Sequence, residues 1–131
     1  MNEWLNKMAD IEDEGSISAR NPDLFAKTKS SKMYILILDS VPTGHAINSA
    51  AHASLACYLR FAETQEMKDW LANSFKKVTC RVSRQELESA IGFIPEHVVI
   101  TESNLDGAVM GAAFAPRETW DPFFKTLALW K

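Results

Sequence analysis

Asp39, His45, Ser49 and His52 are the residues whose types and spacing fit acid–base chemistry on a bound substrate. Offsets of four and three residues place His45, Ser49 and His52 on one face of a helix. His45 falls at or beside the start of that helix, where the positive end of the peptide dipoles favours the neutral imidazole, the form that accepts a proton. Asp39 stands close enough in sequence to orient the ring across the intervening turn. Backbone N–H groups of a helix start can also hold an anionic or carbonyl oxygen. Together these describe a hydrolytic site: His45 activates water, Asp39 orients it, and Ser49 is a polar contact. Gly44 and Asn48 flank the same turn as binding positions, with His52 one turn further. Each residue also has a structural alternative. His45 reads equally as a solvated first-turn residue, His52 as a histidine packed against a loop, Asp39 as a turn cap, and Ser49 and Asn48 as local backbone partners.

The elements that position them start with Met33–Leu38, an uninterrupted apolar run that suits a central strand covered on both faces. Val41-Pro42-Thr43-Gly44 turns the chain, since Pro42 stops strand continuation. A helix over Ala46–Phe61 follows, with Ala46, Ala50, Ala53 and Cys57 as a stripe of small side chains. Thr64 caps a helix over 65–75 whose apolar face includes Met67, Trp70, Leu71 and Phe75. Lys77–Val82 is a strand, and Ser83-Arg84-Gln85-Glu86 is a capping box opening a helix that stops at Gly92. His97–Thr101 and Ala108–Ala115 are strands about a turn at Asn104–Gly107, and a last helix covers Arg117–Thr126, with Asp121-Pro122 as an alternative start. The order β-α-α-β-α-β-β-α implies an α/β domain over 32–131. Its mixed sheet has four strands, mostly parallel, with an antiparallel final pair and helices on both faces. Residues 1–31 form an N-terminal extension in which Trp4, Leu5, Met8 and Ile11 share one helical face.

Composition narrows the function classes. The 131 residues are 47% apolar and 24% charged, enough for one ordinary core. A net charge of −3 supplies no general attraction to nucleic acid or anionic membrane. Lys76, Lys77, Arg81 and Arg84, with Lys27, Lys29 and Lys32, are the basic candidates, and a tRNA ligand requires them to converge near His45. No apolar run spans a bilayer and the acidic N-terminus lacks signal-peptide order, so a cytoplasmic protein is expected. Cys57 and Cys80 read as buried free thiols, and His45, His52 and His97 have no metal-ligand spacing, so neither metal nor cofactor is expected. Trp120, Phe123, Phe124 and Trp130 suggest a self-association surface, hence a homodimer.

Lys32-Met-Tyr-Ile-Leu-Ile-Leu-Asp39, then Gly44-His45, then Ala50-Ala51-His52-Ala53, resembles the opening of the type II peptidyl-tRNA hydrolases. Gly111-Ala-Ala-Phe-Ala-Pro116 and Leu127-Ala-Leu129 resemble their last strand, proline and Leu-x-Leu tail. Val41-Pro42-Thr43-Gly44-His45-Ala46-Ile47-Asn48-Ser49-Ala50-Ala51 and Ala115-Pro116-Arg117 look closer still to an uncharacterised family sharing that fold. The resemblance implies that His45 stands where the hydrolases carry a lysine, and Ser49 or Asn48 where they carry a glutamine. Glu102 matches their acidic residue after the third strand, while their threonine has no counterpart. It implies a hydrolase acting on peptidyl-tRNA or another small anionic substrate, with Arg117 as an anion contact. It also implies a homodimer, the usual state in that fold. The competing hypothesis is a non-catalytic small-ligand or protein-binding module that kept the fold and lost the hydrolase residues.

Overall fold

A computed structural model describes residues 31–103 and 106–131. The helical face expected at Trp4–Ile11 and part of the Asn104–Gly107 turn lie outside them. The elements are β1 (Lys32–Leu38), α1 (Thr43–Phe61), α2 (Gln65–Asn73), β2 (Lys76–Val82), α3 (Arg84–Phe93), β3 (His97–Glu102), β4 (Ala108–Arg117), a 3-10 turn (Pro122–Thr126) and β5 (Ala128–Leu129). They form one five-stranded mixed sheet in the order β3-β4-β1-β2-β5. The expected sheet had four strands and mostly parallel pairing. Only β1 and β2 are parallel, with Leu36 opposite Cys80. The pairs β1–β4, β3–β4 and β2–β5 are antiparallel.

β1 lies in the middle of the sheet, and Met33 to Leu38 are all buried, as their unbroken apolar run requires. α1 starts one turn earlier than expected, because Pro42, extended at φ −60° and ψ 148°, serves as its cap. Its buried stripe is Ala46, Ser49, Ala53 and Cys57. Such small side chains let a helix lie close on a sheet. Thr64 caps α2 by accepting from the Met67 N–H at 3.2 Å. Ser83 and Glu86 complete their capping box at 3.1 and 2.9 Å. α3 does not stop at Gly92. It runs to Phe93, and the chain turns extended at Ile94, just before Pro95.

β4 runs past Pro116 to Arg117, with a register shift against β1 between Tyr34 and Lys32 where the proline has no N–H to give. The final α-helix is absent. Asp121 accepts from the Phe123 N–H at 2.9 Å and starts only the 3-10 turn, with Pro122 at its first position. Ala128–Leu129 then closes the open edge of β2, and the Trp130 N–H reaches the Thr79 carbonyl at 3.0 Å. The C-terminal aromatics belong to the core rather than to an exposed surface. Trp120 and Phe124 are buried, with ring centroids 4.7 and 5.1 Å from Tyr34, and Phe123 and Trp130 pack against the same cluster.

Candidate functional site at the carboxyl edge of the sheet

β1 and β2 are parallel and end together, and the Asp39 N–H donates to the Val82 carbonyl at 2.7 Å. β3 ends on the same edge, because β4 is antiparallel to both β1 and β3. Asp39, the start of α1 and Glu102 therefore share one edge of the sheet, the usual position for chemistry in α/β proteins. The Val41 N–H donates to the Leu38 carbonyl at 3.0 Å and tightens the turn between β1 and α1.

The start of α1 is open. Pro42 makes no side-chain cap, and the first turn contains no acidic residue. Ala46 is the first residue whose N–H is satisfied within the helix, by the Pro42 carbonyl at 2.8 Å. The N–H groups of Thr43, Gly44 and His45 precede it and have no intrahelical acceptor. Nothing lies within 4 Å of where a Gly44 side chain would begin, so a ligand atom can approach the backbone there. His45 is exposed at the third helical position, and Asp39 is exposed in the turn before it.

Asn48 and His52 continue the exposed side of α1, so His52 is solvated rather than packed against a loop. Ser49 departs from the expected trio. It is buried at 2% exposure and belongs to the stripe facing the sheet, because a helix wheel sets it about 40° from His45 toward Ala53. Glu102 is half-buried at the end of β3, and its carbonyl accepts from the Gly107 N–H at 3.0 Å. Arg117 does not join the group. It pairs with Lys32 at the opposite edge of the sheet, donates from Nε to the Thr119 carbonyl at 2.8 Å, and lies over Trp120. Lys76, paired with Lys32, sits at that far edge too, whereas Arg84 opens α3 just past the carboxyl end of β2. Lys27 and Lys29 lie outside the described residues. His97 is structural: its Nδ1 donates to the Ile94 carbonyl at 2.7 Å. Among the described residues no group of His, Cys, Asp and Glu is arranged to hold a metal ion, and no helix is long and apolar enough to cross a membrane.

Both thiols are free and buried, and burial pushes Cys57 up to about 12 and Cys80 up to about 11. Neither is a nucleophile at neutral pH.

The family model for peptidyl-tRNA hydrolase PTH2 matches residues 31–127, from the residue before β1 to the one before β5. The chain belongs to the peptidyl-tRNA hydrolase PTH2 family. That match covers the whole sheet except β5 and includes the β1–α1 turn, so a peptidyl-tRNA hydrolase-like function holds at the level of the family. No curated protein matches the chain.

Sequence reasoning missed an apolar groove between α1 and α2. Leu55 and Leu71 are 59% and 37% exposed there. The available signal was Leu55, a large apolar residue outside the small-residue stripe of α1.

Proposed function

We propose that this member of the PTH2 family cleaves the ester of peptidyl-tRNA at the open start of α1. The observation that carries the reading is an uncapped helix start with His45 exposed in its first turn, inside a domain matched by the family model. Water attacks the ester carbonyl carbon, and His45 takes the proton the water loses. The oxyanion that forms is held by the N–H groups of Thr43, Gly44 and His45. The ribose oxygen leaves with a proton returned from His45, releasing the free peptide acid and the tRNA. Asp39 orients the imidazole, while Asn48 and His52 contact the substrate further along the same exposed face. Glu102 contributes from the end of β3. Ser49 acts by seating α1 on the sheet, which sets the position of His45.

The test is hydrolysis of labelled peptidyl-tRNA by the purified full chain. Turnover is expected, with His45→Ala slowing it by about 100-fold or more and Asp39→Asn by a smaller factor. Melting temperature should fall by no more than about 2 °C in His45→Ala, since an exposed first-turn side chain adds little packing. Absence of turnover above buffer removes the ester reaction. Full turnover in His45→Ala removes the histidine from it.

A further inference from the structure

The groove between the second half of α1 and α2 has no role in the reaction at the start of α1. It is a cavity of about 570 Å³ lined mainly by Leu55, Tyr58, Trp70, Leu71, Phe75 and Lys77. One wall is maintained at a cost. Phe75 follows α2 with φ at 60°, the left-handed conformation in which helices ordinarily place glycine. That conformation sets its ring against Trp70 at 5.1 Å, with the Lys77 ammonium 3.4 Å from the ring centroid. The apolar surroundings lower the pKa of Lys77, and an acidic side chain brought beside it offsets that cost.

The chain enters the fold beside this wall. Ser31 is buried, its carbonyl accepts a hydrogen bond from the Ser74 hydroxyl, and Lys32 pairs with Lys76. The described chain therefore begins next to Phe75, at one end of the groove. Residues 1–30 carry what the groove lacks. At helical spacing Trp4, Leu5, Met8 and Ile11 fall on one apolar face. Residues 3–14 hold five carboxylates, Glu3, Asp10, Glu12, Asp13 and Glu14, against the single basic residue Lys7, and Glu12, at a position within the apolar face, sets the end of that face at Ile11. The link from Ile11 to Ser31 reaches up to about 70 Å when extended, several times the ~13 Å radius of gyration of a domain this size. Length places no limit on docking in cis.

We propose that residues 4–11 of the same chain dock in this groove as an amphipathic helix, their apolar face on Leu55, Tyr58 and Leu71 and the acidic run Glu12-Asp13-Glu14 that follows them toward Lys77. Tethering makes the contact intramolecular and raises its effective concentration without further interface.

Amide hydrogen exchange on the full chain, at two protein concentrations and with mass measured in solution, tests this. The amides of residues 4–11 are expected to exchange at least tenfold more slowly than an unstructured peptide, equally at both concentrations and in a monomer. Leu55→Glu with Leu71→Glu should abolish that protection while β1 amides keep theirs. Met8→Glu with Ile11→Glu, which leaves the groove intact, should do the same and decides the matter if the groove variant loses β1 protection. Absence of protection in the parent chain overturns the proposal, as does protection that survives either variant. Protection that appears only at high concentration, together with a dimeric mass, assigns the groove to a second copy and also overturns it. None of these readouts depends on turnover, so failure here and failure of the hydrolase reading are separate results.

Discussion

Replacing Gly111 by alanine should cost more than the same change at Gly44, Gly92 or Gly107. Gly111 lies in β4 opposite Ile37 of β1 and Ile100 of β3. A β-carbon built there would stand 2.0 Å from the Leu36 carbonyl oxygen and 3.0 Å from both the Leu36 carbonyl carbon and the Ile37 Cα. All three are backbone atoms of a central strand, so no side chain can rotate away. Two strands must separate by more than an ångström instead. Overpacking costs about 1–3 kcal/mol where side chains can adjust. Each strained or lost ladder hydrogen bond adds about 1 kcal/mol. A total of roughly 3–5 kcal/mol follows, which for a domain between the usual size classes lowers Tm by about 10–20 °C. Thermal unfolding of the full chain, with a urea midpoint alongside, measures it. Gly92→Ala is the control. Nothing lies within 4 Å of its new methyl, its backbone is helical, and it should be neutral or stabilise by about 0.4–1 kcal/mol. Should Gly111→Ala melt within about 2 °C of the parent, the close approach of β4 to β1, and with it the register of the central sheet, would be wrong.

Gly44→Ala separates stability from function: its methyl enters open space, so Tm should hold or rise slightly, while turnover of peptidyl-tRNA falls because the methyl crowds the approach to the first-turn N–H groups. Equal activity in that variant would move the reaction elsewhere. Ser83→Ala removes the hydroxyl of the capping box and should cost about 1 kcal/mol in a urea titration; an unchanged midpoint would show that the box contributes nothing net. Alkaline stability follows from the thiols. Below pH about 9.0 the folded and unfolded chains both hold these protons. Above it the unfolded chain loses protons that the folded chain keeps up to about 11 for Cys80 and about 12 for Cys57, so stability falls as pH rises through that window. Urea midpoints flat from pH 8 to 10.5 would contradict this, and a thiol reagent at pH 8 should label the native protein only as fast as it unfolds.

Parts of the site were legible before any fold was known because their signals are local. The turn at Pro42 and a helix opening close behind it, with His45 at or beside its start, follow from a proline, a glycine and the end of an apolar run within a dozen residues, whereas the missing cap was seen only in the structure. Ser49 was misread because one helical face holds both solvent-facing and sheet-facing positions at its border, and only the neighbouring strands set where that border falls. Arg117 was misplaced because β4 turned out to run antiparallel to β1, which carries its end to the far edge of the sheet. The aromatic C-terminus looked like a surface in sequence, yet Trp120 and Phe124 fold back onto Tyr34.

From sequence alone came the central strand, the caps at Thr64, Ser83 and Asp121, the buried thiols and the place where β1 hands over to α1. Each depends on composition or on bonds between residues two to four apart, which the chain carries wherever it goes. Tertiary structure decided the antiparallel pairings of β4 with β1 and of β5 with β2, the two-residue β5 that is too short to show a period, and the groove beside Phe75, while the antiparallel β3–β4 pair was already expected from its short turn. Those depend on hydrogen bonds and packing between segments distant in the chain, whose free energy exists only once the segments have met.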